Sequence, residues 1–237
     1  MSIEIRSATE LPSRREAVTL HTRDGLKLVA ELALPADVPP VATLVMCHPL
    51  PTHGGFMDSH VYRKAANRLP ALADLAVIRF NTRGTESPHG KSEGEFGDGI
   101  TEAADLAAAL DFARSRNLPN IWVVGWSFGT ELALKYALNE PVLGIILLSP
   151  PLRRTTPEEL AAWANSEKRV IAIIPELDDY LQPEEAREKF AAVPHAVVIA
   201  VDGAKHLWVG ESSVTCVLNE IVRAVNPAKY PLPETFG

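Results

Sequence analysis

A serine hydroxyl attacks a carbonyl only when a base takes its proton and the surroundings accept the negative charge that follows. One serine in this chain sits where both can be arranged. Residues 123–129 read Val-Val-Gly-Trp-Ser-Phe-Gly, an apolar run that ends in G-x-S-x-G and passes directly into the helix-forming segment TELALKYAL. Strand, sharp turn and helix in that order hold the central side chain in a strained turn, so positions two residues to either side must be almost without side chain. Gly125 and Gly129 fill both positions. The turn also places Ser127 at a helix N-terminus, where free N–H groups and the helix dipole favour developing negative charge. Ser127 is the candidate nucleophile.

A base and an acid must come from elsewhere in the chain. Residues 170–174 (VIAII) form a strand-like run that opens into Pro175-Glu176-Leu177-Asp178-Asp179, and residues 196–201 (AVVIAV) form another that opens into Asp202-Gly203-Ala204-Lys205-His206. In a parallel sheet, residues just past strand ends share one edge. Ser127, one of the paired aspartates and His206 would meet there, whereas His195 precedes its strand and belongs at the opposite edge. His206 can take the serine proton near neutral pH and return it to a leaving group. A carboxylate beside it would fix the imidazole tautomer and stabilise its cation. Asp202 suits a turn-shaping role.

The oxyanion needs two N–H donors. After the apolar run 41–47 (VATLVMC) comes His48-Pro49-Leu50-Pro51-Thr52-His53-Gly54-Gly55. Proline has no N–H, so only His48 and Leu50 can donate between positions 48 and 51, and Leu50 is the better placed. The second donor is the N–H of Phe128, directly after the nucleophile. The side chains of Leu50, Phe128 and Trp208 are candidates to line an acyl pocket, and Trp126 to pack beneath the turn.

The elements that must carry these residues follow from hydrophobic patterning. EAVTLHT and LKLVAELAL alternate about Arg23-Asp24-Gly25 and predict an antiparallel hairpin at a sheet edge. Continuous apolar strands at 41–47, 75–80, 120–125, 142–148, 170–174 and 196–201 alternate with helical segments at 61–72, 101–116, 130–138, 182–190 and 214–225. Pro70 is expected to mark the end of the first helix. The pattern predicts an α/β fold, a mostly parallel twisted sheet with helices on both faces and an N-terminal antiparallel hairpin, as a single domain of residues 1–237. Thr156-Pro157-Glu158-Glu159 is a strong helix start, and only one short helix fits before the next strand, so no cap domain is expected. Residues 1–13 read as a loose arm. Residues 226–237 (NPAKYPLPETFG) read as a Pro-rich tail over the surface or a neighbouring subunit, which leaves a homo-oligomer open.

The hairpin, the His48-Pro49 loop, GWSFG, ELDD and GAKH together resemble the α/β-hydrolase superfamily over nearly the whole chain, and the order serine, acid, histidine is that family's order. CHPLPTHGG, RFNTRGTESP and SEGEFGDG look like the loops of small cap-less bacterial serine hydrolases. The resemblance aligns Asp178, rather than Asp179, with the acid. It implies a carboxylesterase-type enzyme acting on a small ester or thioester through an acyl-serine intermediate, without a cofactor. Two departures stand near the site: Pro175 replaces a frequent glycine, and the usual R-G-x-G-x-S loop reads Arg83-Gly84-Thr85-Glu86-Ser87.

Composition narrows the alternatives. The net charge is −7 and no basic cluster exceeds an arginine pair, so no nucleic-acid footprint is visible. The N-terminus lacks the apolar core of a signal peptide and no apolar run is long enough to cross a bilayer, which predicts a cytoplasmic protein with no membrane partner. Cys47 and Cys216 suit buried thiols. His48, His53 and His60 lack a carboxylate or cysteine at metal-site spacing and read as exposed or hydrogen-bonding histidines, so no metal is expected. The same three residues would also serve a peptidase or an acyltransferase, and a non-catalytic binding member of the fold remains a third reading.

Overall fold

The structure is a computed structural model that describes residues 2–237. In chain order the elements are β1 (Ile3–Glu4), β2 (Ser13–His21), β3 (Lys27–Pro35), β4 (Ala42–Cys47), α1 (His60–Ala73), β5 (Leu75–Phe80), β6 (Glu86–Ser87), β7 (Gly90–Lys91), α2 (Ala103–Ser115), β8 (Ile121–Trp126), α3 (Phe128–Tyr136), β9 (Gly144–Leu148), α4 (Pro157–Ala161), β10 (Arg169–Leu177), α5 (Pro183–Phe190), β11 (Val197–Lys205), α6 (Glu211–Val225) and β12 (Thr235–Phe236). Eight strands form the main sheet in the order β11-β10-β9-β8-β4-β5-β3-β2. The β2–β3 and β3–β5 pairs are antiparallel and the other five are parallel.

Successive side chains on a strand point to opposite faces, and here they feed two separate cores. Val45, Cys47 and Val123 join one face with residues of α2, α3 and α5, among them Leu106, Leu132 and Phe190. Leu44, Met46, Trp122, Val124 and Trp126 join the other with Tyr62 and Leu69 of α1 and Val217 and Ile221 of α6. The sheet is therefore covered on both sides. Only α4 and a 3-10 turn, Ala162–Asn165, stand between β9 and β10. Thr156 caps α4 in a capping box with Glu159, as its residue types require.

Three differences from the sequence expectation have physical causes. Pro70 does not end α1, which runs on to Ala73 before Asp74 closes it in the left-handed conformation. Proline forfeits only its own N–H bond, and the burial of Leu69, Leu72 and Ala73 holds the final turn. The arm is not loose: β1 pairs with β12, and the Leu11 N–H donates to the Asn67 carbonyl. The tail thus lies on its own chain. Finally, β10 continues through Pro175 to Leu177 and β11 to Lys205, with a register shift after Pro175. Pro175 has no N–H to give the ladder, and Glu176 takes up the slack by accepting the Gly203 N–H at 2.6 Å.

Candidate active site

That register shift positions two of the candidate residues. After it, Leu177 and Lys205 are partners across the parallel pair, so the next residues, Asp178 and His206, leave the sheet side by side. His206 Nδ1 stands 2.9 Å from Asp178 Oδ2 and 3.1 Å from Oδ1. Asp178 Oδ1 also accepts the Tyr180 N–H at 2.8 Å, which orients the carboxylate. Asp179 is exposed and makes no ion pair with the ring.

Ser127 arrives from the middle of the sheet. Its N–H donates to the Leu148 carbonyl at 2.9 Å, holding the turn against β9, and its backbone has φ 51° and ψ −115°, a strained region for a residue with a side chain. The glycines are required there: a Cβ on Gly129 would lie 1.9 Å from the Cys47 carbonyl oxygen, and one on Gly125 would lie 2.4 Å from that of Gly129. The outcome is a row, with Ser127 Oγ 2.9 Å from His206 Nε2. A carboxylate only accepts, so Nδ1 carries the proton and Nε2 is free to receive the serine hydrogen.

The histidine backbone is held as firmly as its ring. The His206 carbonyl accepts Trp126 Nε1–H at 3.2 Å and Ser149 Oγ–H at 3.1 Å. His60 Nε2 bonds the next carbonyl, Leu207, at 2.7 Å, and the His60 ring meets Trp126 edge-on. Sequence reading assigned Trp126 to packing beneath the turn and did not single out Ser149. No local signal could have found this clamp, because its partners are 57 and 80 residues apart.

Leu50 and Phe128 flank the serine as two walls of a cavity of about 530 Å³, together with Pro49, His53, Asp98, Pro151, Arg153, Arg154, Tyr180 and Leu207. Neither the Leu50 nor the Phe128 N–H has a hydrogen-bond acceptor among the described residues. Trp208, the third candidate for the acyl pocket, is fully buried in the opposite core and lies outside this cavity. His48 is also fully buried: Nδ1 donates to the Pro49 carbonyl at 2.6 Å and Nε2 accepts the Thr82 N–H at 3.1 Å. Burial disfavours its cation and pulls its pKa down to about 4. Among the described residues no group of histidine, cysteine and carboxylate side chains could hold a metal ion.

The family profile for the alpha/beta hydrolase fold matches residues 43–206, a span that includes both the serine turn and the histidine loop. The chain belongs to the α/β-hydrolase fold family. An uncharacterized protein of Rickettsia prowazekii is 32% identical over 123 residues, a match that covers 49% of this chain and 48% of that protein. Two solved structures share the architecture. XC6422 of Xanthomonas campestris, an α/β serine hydrolase without a lid, superposes with a TM-score of 0.75 at 23% identity, over 94% of this chain and 99% of that one. An α/β serine hydrolase homologue of Coxiella burnetii does so with a TM-score of 0.75 at 24% identity, over 92% of this chain and 100% of that one.

Within this α/β hydrolase the R-G-T-E-S loop is anchored by a buried arginine. Arg83 binds Asp105 through Nε at 3.0 Å and a terminal nitrogen at 2.7 Å, and reaches Asp24 at 2.9 Å. Those bonds to Arg83 hold the Asp24 carboxyl down at about 2. The neighbouring Thr82 is thereby fixed against His48, so the loop that departs from the family pattern still braces the Pro49-Leu50 turn. Among the described residues no helix is long and apolar enough to cross a membrane.

Proposed function

We propose that this α/β hydrolase is a serine hydrolase of carboxylesterase type that cleaves a small carboxylic ester or thioester through an acyl-serine intermediate. The observation that carries the reading is the row of Ser127 Oγ to His206 Nε2 and His206 Nδ1 to Asp178 Oδ2, both hydrogen bonds at 2.9 Å. Ser127 attacks the carbonyl carbon while His206 Nε2 takes its proton. Asp178 stabilises the imidazolium that results. The tetrahedral oxyanion lies against the Leu50 and Phe128 N–H groups, each such donor lowering the barrier by about 3 kcal/mol. Collapse breaks the bond to the leaving oxygen or sulfur, which receives the His206 proton and departs as alcohol or thiol. Water then attacks the acyl-serine by the reverse sequence, His206 again acting as base, and the carboxylic acid is released.

The open cavity and the short connection between β9 and β10 support a small, accessible substrate. Labelling with a fluorophosphonate probe tests the assignment. Wild-type protein should label and Ser127→Ala should not; equal labelling of both would remove the serine from the mechanism. A panel of p-nitrophenyl esters, acyl thioesters and peptide anilides separates the readings, with turnover expected on the first two.

A further inference from the structure

The charges around the cavity are not balanced. Arg154 and Asp98 neutralise each other, Asp98 Oδ1 standing 2.9 Å from Nε and 2.5 Å from a terminal nitrogen. The guanidinium of Arg153 has no ion-pair or hydrogen-bond acceptor among the described residues, although the chain as a whole carries −7. It lies over the Tyr180 ring at 4.5 Å, and that ring meets the His206 ring edge-on at 4.5 Å. Arg153 therefore stands two short steps from the base, at the mouth of the cavity that holds Ser127. A guanidinium stacked this way keeps its N–H edge for a planar anion.

The segment bearing Arg153 is built to stay in place. Glu131 of α3 is fully buried, and its carboxylate serves this segment: Oε1 accepts the Arg153 N–H at 2.7 Å, and Oε2 accepts the Thr155 N–H at 2.8 Å and Oγ1–H at 2.5 Å. A buried carboxylate is tolerable only when so satisfied. Leu152, just before Arg153, sits in the left-handed region at φ 48°. A fully buried carboxylate and a strained residue thus fix the stretch of backbone from which the arginine reaches the cavity.

We infer that Arg153 receives an anionic group of the substrate, a carboxylate or a phosphate, whose ester or thioester carbonyl lies over Ser127. The inference rests on the hydrolytic reading of the same cavity. Pro49, Leu50, Phe128 and Leu207 are also among the residues lining that cavity, and their apolar surface suits a short hydrocarbon link between the two groups.

Two matched substrate pairs test it. Mono-p-nitrophenyl glutarate against its methyl ester places the anion on the acyl side; acetyl-coenzyme A against S-acetyl-N-acetylcysteamine places it on the leaving group. In at least one pair, wild-type kcat/KM should favour the anionic member by about tenfold or more, as charge-assisted recognition gives. Arg153→Gln should bring that ratio close to one, mainly through KM, and Arg153→Lys should restore part of it. The responding pair identifies the source of the anion. Ratios unaffected by Arg153→Gln in both pairs overturn the inference while leaving the hydrolase intact. If no pair turns over, the hydrolytic reading fails separately, and calorimetric titration of Ser127→Ala with monomethyl glutarate and with coenzyme A decides. Binding abolished by adding Arg153→Gln supports the anion site, and no binding of either ligand overturns it.

Discussion

Two imidazoles leave the same sheet edge, His48 one residue past β4 and His206 one residue past β11. Both are buried and both donate Nδ1–H to an oxygen, yet their surroundings suit them to opposite tasks. His48 donates to a neutral carbonyl, and its Nε2 is already taken by the Thr82 N–H with the Thr82 hydroxyl alongside at 3.1 Å, so a second proton meets a bound donor and no countercharge. His206 donates to a carboxylate and its Nε2 faces a hydroxyl, so an arriving proton is both sourced and compensated. The ring is the same in each case. The charge of the partner on Nδ1, and the backbone N–H that occupies Nε2 only in His48, separate a fixed brace from a ring placed to act as a base.

The strongest way to break that comparison is to remove the charge and keep the shape. Asp178→Asn leaves an amide that fits the space but cannot stabilise the imidazolium, and kcat on a p-nitrophenyl ester should fall by about 10⁴-fold. A loss below tenfold would show that the carboxylate is not what distinguishes the two histidines. The protein should stay folded, which the unchanged far-ultraviolet circular dichroism of the variant would report.

The converse experiment asks whether His48 is held neutral. Its folded pKa, down at about 4, lies below the usual value of about 6.5 for an unfolded histidine. The unfolded chain therefore binds the extra proton first as pH falls. The stabilisation is fully present above about pH 6.5 and is lost as pH drops to about 4, a change of about 3 kcal/mol. Urea midpoints at pH 7 and pH 4.5 should fall more steeply for the wild type than for His48→Gln, which has no charge to gain. Parallel pH dependences would mean the buried ring is already protonated or already wet.

Much of this edge was legible in the chain. Strands alternating with helices place the residues after 125, 174 and 201 on one side of a parallel sheet, and the glycines at 125 and 129 mark a turn that no side chain could enter. The hidden part was long-range. Nothing near Pro175 says that β10 continues beyond it, because the shifted ladder depends on Glu176 reaching Gly203. Pro70 marks the last turn of the expected helix but not its final residue, because that turn is held by the sheet beneath. The pairing of residues 3–4 with 235–236 joins the two ends of the sequence, a separation that local patterning does not address. Glu131 lies in the helical segment TELALKYAL with no local signal of burial, and only the returning 153–155 segment makes its burial tolerable.

A smaller effect sharpens the contrast between ring and backbone. The His206 carbonyl has two buried donors, Trp126 Nε1 and Ser149 Oγ. Trp126→Phe removes the first and leaves the second, so kcat should fall only about fivefold, in line with the net worth of about 1 kcal/mol for one hydrogen bond. Ser149→Ala should behave alike. With both removed the carbonyl is buried and bare, which costs more than two bonds lost separately. The double variant should then lose activity beyond the product of the single losses, with KM little changed because neither residue lines the cavity. If the losses simply multiply, the two donors act independently, and it is the Asp178 contact that holds the imidazole against Ser127.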